Sequence, residues 1–183
     1  MVGALLLQTH AFAQDAGKPA YIGVEACGKC HKRETTGNQL GKWQESKHAK
    51  AFATLGTPEA KKIAAAKGIT DPQKDGKCLK CHVTAFGVDA ALIVKAATPE
   101  EKGFVAEEGV QCESCHGAGS LYKARKVMKD KAASVAAGLI VPDEKLCKTC
   151  HNPESPNYKE FNFAEMKKKI EHPNPNKGKV EAE

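Results

Sequence analysis

Cys112-Glu113-Ser114-Cys115-His116 is a pattern that this chain of 183 residues contains four times. The other copies are Cys27-Gly28-Lys29-Cys30-His31, Cys78-Leu79-Lys80-Cys81-His82 and Cys147-Lys148-Thr149-Cys150-His151, and together the four use all 8 cysteines. C-x-x-C-H is the attachment site of c-type haem. Two thiols three residues apart sit on neighbouring positions of one helical turn, within reach of the two vinyl groups of one porphyrin. The histidine that follows lies under the ring, where its imidazole ligates the iron. Zinc and disulfides are the competing readings. A four-cysteine zinc ribbon sets its pairs about 15–20 residues apart, whereas 47, 30 and 31 residues separate successive pairs here. Neither zinc nor a disulfide framework explains a histidine after every second cysteine. The sequence therefore reads as a carrier of four covalent haems c.

That reading changes what composition implies. Aromatic content is only 5%, too little for a conventional core in one domain of this length. Four porphyrins are large, flat and apolar, and can themselves be the core that side chains line. The expected fold is mainly α with much irregular structure: short helices around stacked haems, with little or no sheet. The formal charge of +6 is no nucleic-acid signature. Four haems bring about eight propionates that nearly cancel it, and the basic residues are spread out, with only Lys167-Lys168-Lys169 making a run of three.

Along the chain, residues 1–13 read as the remnant of a secretory signal, with an apolar run at 2–7 and Ala11-Phe12-Ala13 as a small-x-small cleavage site. Export to the periplasm or outside the cell suits a haem attached beyond the cytoplasm. No stretch reaches the roughly 18 apolar residues of a membrane span. Residues 38–55 have a helix-like pattern. Thr57 caps a helix with Pro58 at its first position, running to Gly68. Asp71-Pro72 and Asp75-Gly76 are turns leading into the second site. Residues 83–109 are loop-like, with a short helix start at Thr98-Pro99-Glu100-Glu101. Gly117 and Gly119 leave space for the close approach of a haem or of backbone. Residues 120–137 read as the best helix of the chain, stopped by Gly138, and Asp143 caps a turn into the fourth site. Asn162 with Glu165 resembles a capping box, opening a helix that ends at His172 before Pro173, with Phe163, Met166 and Ile170 as its inward stripe. The haem domain spans 14–172, followed by a flexible polar tail at 173–183.

Each iron takes its proximal ligand from its own pentad: His31, His82, His116 and His151. Electron-transfer haems commonly take a second axial His or Met. Of 7 histidines, only His10, His48 and His172 lie outside the pentads, and His10 falls in the signal. Two spare histidines cannot serve four irons. His48 and His172 are the candidate distal ligands. Met128 is open to two roles, core filler or axial ligand.

These residues also carry a resemblance. Trp43-x-x-x-x-His48-Ala49-Lys50-Ala51 comes first, then Cys78-x-x-Cys81-His82-Val83. Gly109-Val110-x-Cys112-Glu113-Ser114-Cys115-His116-Gly117 and Phe161-x-Phe163-x-Glu165-Met166 follow. Their order resembles the cytochrome c-554 family over nearly all of residues 20–172. That family comprises tetrahaem periplasmic electron carriers, known from ammonia oxidisers, where they accept electrons from hydroxylamine oxidoreductase. The resemblance implies that His48 is the distal partner of the haem on His151, and His172 of the haem on His116. It also implies an open, five-coordinate iron at His82. In the family the first haem takes a histidine from about ten residues after the third site. This chain has Lys126-Val127-Met128 there, so either Met128 substitutes or the first haem is open as well.

The sequence thus points to electron exchange between redox partner proteins. One alternative is an enzyme that reduces nitric oxide, nitrite or hydroxylamine at the open iron of His82. A subunit of a conducting filament is a third reading, without a sequence mark beyond the haems. Intact-protein mass of the exported holoprotein is expected to show four haem increments and the loss of residues 1–13. Fewer increments, or a titratable thiol, overturns the reading.

Overall fold

Local capping starts most of the helices in the computed structural model, which describes residues 17–172, 174 and 175. The first five are α1 (Val24–His31), α2 (Gln39–Glu45), α3 (Ala51–Leu55), α4 (Pro58–Ala66) and α5 (Gly76–His82). Then come α6 (Cys112–His116), α7 (Arg125–Lys129), α8 (Lys131–Ala136), α9 (Glu144–Lys148) and α10 (Phe163–Ile170). The caps read from the sequence at Thr57, Asp143 and Asn162 are in place, and Asp75, read there as part of a turn, caps α5 as well. The Thr57 hydroxyl accepts from the Ala60 N–H at 3.2 Å, Asp75 from Lys77 at 2.8 Å, Asp143 from Leu146 at 2.8 Å and Asn162 from Glu165 at 3.2 Å. Each satisfies an N–H that the first turn leaves without an intrahelical acceptor.

Among the described residues there is no strand, only an isolated parallel bridge between Tyr21 and Ile93. The fold is helical with long irregular segments, as expected. The buried apolar side chains are few: Ile22, Val24, Leu55, Ala64, Ile69, Val83, Ala118 and Tyr122. The expected signal remnant, and most of the expected tail, lie outside the described residues.

Four local expectations are corrected. The pattern at 38–55 is two helices, not one. The Ser46 hydroxyl donates to the Trp43 carbonyl at 2.7 Å and accepts from the Ala49 N–H at 3.3 Å, which turns the chain out of α2. The 120–137 helix is broken too. Asp130 adopts extended backbone (φ −106°, ψ 112°) and its side chain caps α8 through the Ala133 N–H at 3.0 Å. Ser134 then donates to the Val127 and Asp130 carbonyls, at 2.7 and 2.9 Å, closing the corner between α7 and α8. Met128 and Val135 therefore share no helical face. Residues 98–101 make a turn, because Val94 is tied to both Tyr21 and Phe104 and the chain between must double back. Lastly, α10 stops at Ile170, which is 39% exposed, so His172 lies beyond the helix and the inward stripe is reduced to Phe163 and Met166.

Gly109 shows how tightly these segments meet. Its φ of 80° and ψ of −144° lie in a region open almost only to glycine. A Cβ there would stand 2.7 Å from the His48 carbonyl oxygen. Gly109→Ala is expected to cost about 1–3 kcal/mol from backbone conformation alone, and more from the overlap. Denaturant unfolding of the holoprotein measures it.

Candidate haem centres

Each pentad lies on its own short helix or helical turn, as the spacing of two thiols and a histidine requires. The first ends α1, the second ends α5, and the third is α6 in full. The fourth begins in α9 and continues as a turn in which the His151 N–H donates to the Cys147 carbonyl at 3.0 Å. No disulfide joins any of the eight cysteines. Among the described residues, no three His, Cys, Asp or Glu side chains converge on a point that a single ion could occupy.

The proximal histidines are aimed by their second ring nitrogen. His82 Nδ1 is 2.7 Å from the Ala51 carbonyl oxygen and His116 Nδ1 is 3.1 Å from that of Ile140. A carbonyl only accepts, so Nδ1 carries the proton and Nε2 presents its lone pair, the arrangement of a metal-ligating imidazole. His31 Nδ1 lies 3.2 Å from Gln39 Oε1. The Gln39 amide nitrogen donates to the Thr36 carbonyl, which turns its oxygen towards His31. His151 is held differently, its ring stacked on Phe161 at 4.9 Å between centroids and 15° between planes.

Two further rings face two of these four. His48 stands 6.0 Å from His151 between ring centroids, at 61° between planes. His172 stands 6.0 Å from His116, at 48°. Metal–nitrogen bonds of about 2 Å put an imidazole centroid roughly 3 Å from the metal it ligates. Two rings on opposite faces of one iron are then about 6 Å apart, which is the spacing found. Burial is the leading cause that lowers the pKa of all four rings, and His48 and His116 are also lowered by their partner rings. Low pKa keeps each ring neutral, the form that ligates. Both spare histidines among the described residues are thus opposite a proximal one, and none is left for His31 or His82. Met128 sits half-buried on α7.

The thiols of different pentads crowd together. Cys27 of the first and Cys112 of the third interact directly; their shared hydrogen bond raises the pKa of Cys27 and lowers that of Cys112. Burial and then the Cys150 thiol push Cys81 up to about 11, so the second and fourth sites adjoin. Burial, with the nearby Cys147 next, pushes Cys115 up to about 11, so the third site lies within electrostatic reach of the fourth. Lys80 and Glu154 add an ion pair of 2.5 Å between the second and fourth sites.

Sequence reasoning missed the side chains that tie the sites to one another. The Trp43 indole donates to the Val110 carbonyl at 2.7 Å, and the Val110 N–H donates to the His48 carbonyl at 3.0 Å. Thr84, just past the second pentad, accepts from the Gln111 N–H at 2.7 Å and lies 2.7 Å from the Ser114 hydroxyl inside the third. The Tyr122 hydroxyl reaches the carbonyls of His116 and Gly117, at 3.0 and 2.7 Å. Only Trp43 had a signal, its place in the motif with His48.

Residues 26–117 match the family model described as cytochrome c554 and c-prime. The chain belongs to the cytochrome c-554 family. Cytochrome c-554 from Nitrosomonas europaea is 32% identical over 127 residues, which span 67% of this chain and 49% of that protein. The chain thus matches about half the length of this relative. No solved structure matches it. Family membership makes covalently bound haem c the cofactor, and the oriented imidazoles and paired rings fit that group. The stretch around Trp43 and His48 and the stretch from Gly109 to Gly117, which carry the resemblance in sequence, are in contact in this member of the cytochrome c-554 family.

His48→Ala and His172→Ala are each expected to convert one low-spin haem to high spin, visible in the optical and EPR spectra. A double variant with an unchanged spectrum would show both histidines to be bystanders.

Proposed function

We propose that this chain is an exported tetrahaem cytochrome that passes electrons between redox partner proteins, its haem domain spanning 14–172. What supports the reading is the proximity of attachment thiols from different pentads: Cys27 pairs with Cys112 and Cys81 with Cys150, while Cys115 lies near enough to Cys147 and Cys150 to feel their charge. The attachment points thereby follow one line, in the order first, third, fourth, second. When bound, the haems supply the redox chemistry, each iron taking up and releasing one electron. On this reading the neighbouring cysteine pairs would bring the four haems close enough for electrons to pass along the line.

The histidines divide the sites into two classes. His151 with His48, and His116 with His172, would provide two strong ligands at the inner sites of the line, the arrangement that would limit reorganisation on electron exchange. The outer sites, at His31 and His82, have no distal histidine among the described residues. We assign Met128 as the candidate distal ligand of the first. Among the described residues no helix is long and apolar enough to cross a membrane, in keeping with a carrier that meets its donor and acceptor by diffusion.

One observation favours a second reading, catalysis at His82. A cavity of about 400 Å³ adjoins α5, with Phe52, Leu79, Val83, Phe86, Ile93 and Phe104 in its wall. Leu79 and Val83 flank His82 in sequence, and most of the rest comes from the loop-like segment after it. An apolar chamber beside an open iron suits a small uncharged molecule such as nitric oxide. Its wall carries a single titratable side chain, Glu107, rather than an acid–base pair, and that favours the carrier.

Steady-state assays with a dye donor separate the two. The carrier is expected to bind carbon monoxide at a minority of its haems, to exchange electrons rapidly with a redox partner, and to turn over nitrite, hydroxylamine and nitric oxide slowly. Sustained turnover at about ten per second or more, blocked by a ligand at the open site, would establish the enzyme instead.

A further inference from the structure

Glu113 lies between the two cysteines of the third pentad, and its side chain is only 2% exposed. Its carboxylate accepts from the Ile22 N–H at 2.9 and 3.1 Å, from Gly23 at 2.9 Å and from Gly119 at 2.7 Å. Both oxygens act as acceptors, the pattern of an ionised carboxylate. These partners are backbone dipoles and bring no compensating positive charge. Gly119 has no room for a side chain there: a Cβ would stand 3.2 Å from Glu113 Oε1 and 2.9 Å from Ile22 Cδ1. Residues 20–24 lead directly into α1, so the group that anchors them sits where the first and third attachment sites meet. Its charge is felt by Cys27 of the first site and by Tyr122, both of whose pKa values it helps to raise.

A buried anion without a counter-charge acts over several ångströms at low dielectric. Reduction of a nearby haem adds negative charge, so such an anion opposes it. We propose that Glu113 is a potential-setting residue: its buried carboxylate clamps the 20–24 segment to the third site and, as a fixed negative charge beside the first and third attachment points, holds both haems at low reduction potential. This rests on the tetrahaem reading. It biases the line of sites, because the charge makes the first and third haems give up electrons more readily than their ligands alone would dictate. The clamp and the charge are one group, so the segment cannot lift away without moving the charge that tunes the haems beneath it.

Potentiometric titration of three holoprotein variants tests the proposal, with haem counts taken by intact mass. Glu113→Gln removes the charge and keeps the shape. It is expected to raise the equilibrium constant for reduction at least tenfold at two of the four haems, a shift of about 59 mV for a one-electron step. Glu113→Asp keeps the charge. Ser120→Ala removes a different tie of the same segment, the hydrogen bond of 2.8 Å from the Ala20 N–H to Ser120 Oγ. Both are expected to stay within a threefold change, even where unfolding shows the segment to be loosened. No shift in Glu113→Gln, or equal shifts in all three variants, would overturn the assignment of a charge effect. If Glu113→Gln does not assemble with four haems, the infrared redox difference spectrum of wild-type protein with ¹³C-labelled glutamate decides. A carboxylate band that moves as the low-potential pair is reduced, and that shifts position in Glu113→Asp, is expected; its absence overturns the proposal. Fewer than four haems in the wild type would instead overturn the tetrahaem reading.

Discussion

Backbone N–H and C=O groups must be hydrogen-bonded wherever they are buried, and this chain has neither a sheet nor long helices among its described residues to pair them. Side chains do the pairing. Gln111 is 1% exposed; its amide oxygen accepts from the Val24 N–H and its nitrogen donates to the Val105 carbonyl, both at 2.8 Å or less. Glu113 serves Ile22, Gly23 and Gly119, and Thr84 serves Gly109 and Gln111. These three polar residues, buried where an ordinary domain would place Leu or Ile, lie within or beside the second and third pentads. The hydrogen-bonded framework and the haem attachment sites are thus the same part of the molecule.

This arrangement suits a protein whose apolar bulk is its cofactor. Short helices present the thiols and each proximal imidazole with little chain between them, and the irregular segments are free to follow the porphyrin edges. A polar framework leaves the apolar surface of the haems to be met by the few buried aliphatic and aromatic side chains. It also places a buried carboxylate and backbone dipoles beside the C-x-x-C-H pentads, where low dielectric would give them leverage over a bound haem.

Much of the local structure was legible because its causes are local. Thr57, Asp143 and Asn162 cap their helices because each side chain reaches a backbone N–H three residues away, a distance that is a property of sequence. The two broken helices were not legible for the complementary reason. Residues 120–137 have helical periodicity throughout, but Asp130 can either sit mid-helix or cap a new one, and the bonds of Ser134 to Val127 and Asp130 decide for the cap. Ser46 likewise leaves α2 by bonding Trp43 and Ala49, while Trp43 is held from 67 residues away by the Val110 carbonyl. Propensity alone does not report such competition between local alternatives.

By itself the sequence determined the chemistry: four C-x-x-C-H pentads, the proximal histidines, the shortage of distal ones and the dependence on haem for a core. These follow from residue type, spacing and count, which no folding can alter. The resemblance to a family indicated which ring should face which, and the 6.0 Å separations of His48 from His151 and His172 from His116 are a property of the fold. Only the tertiary structure brings Cys27 beside Cys112 and Cys81 beside Cys150, and makes the residue between two cysteines a buried carboxylate serving another segment. Both depend on contacts across 69 to 91 residues, as between Cys81 and Cys150 or Glu113 and Ile22. Such contacts form only when distant parts of the chain have come together, so nothing in the neighbourhood of either residue announces them.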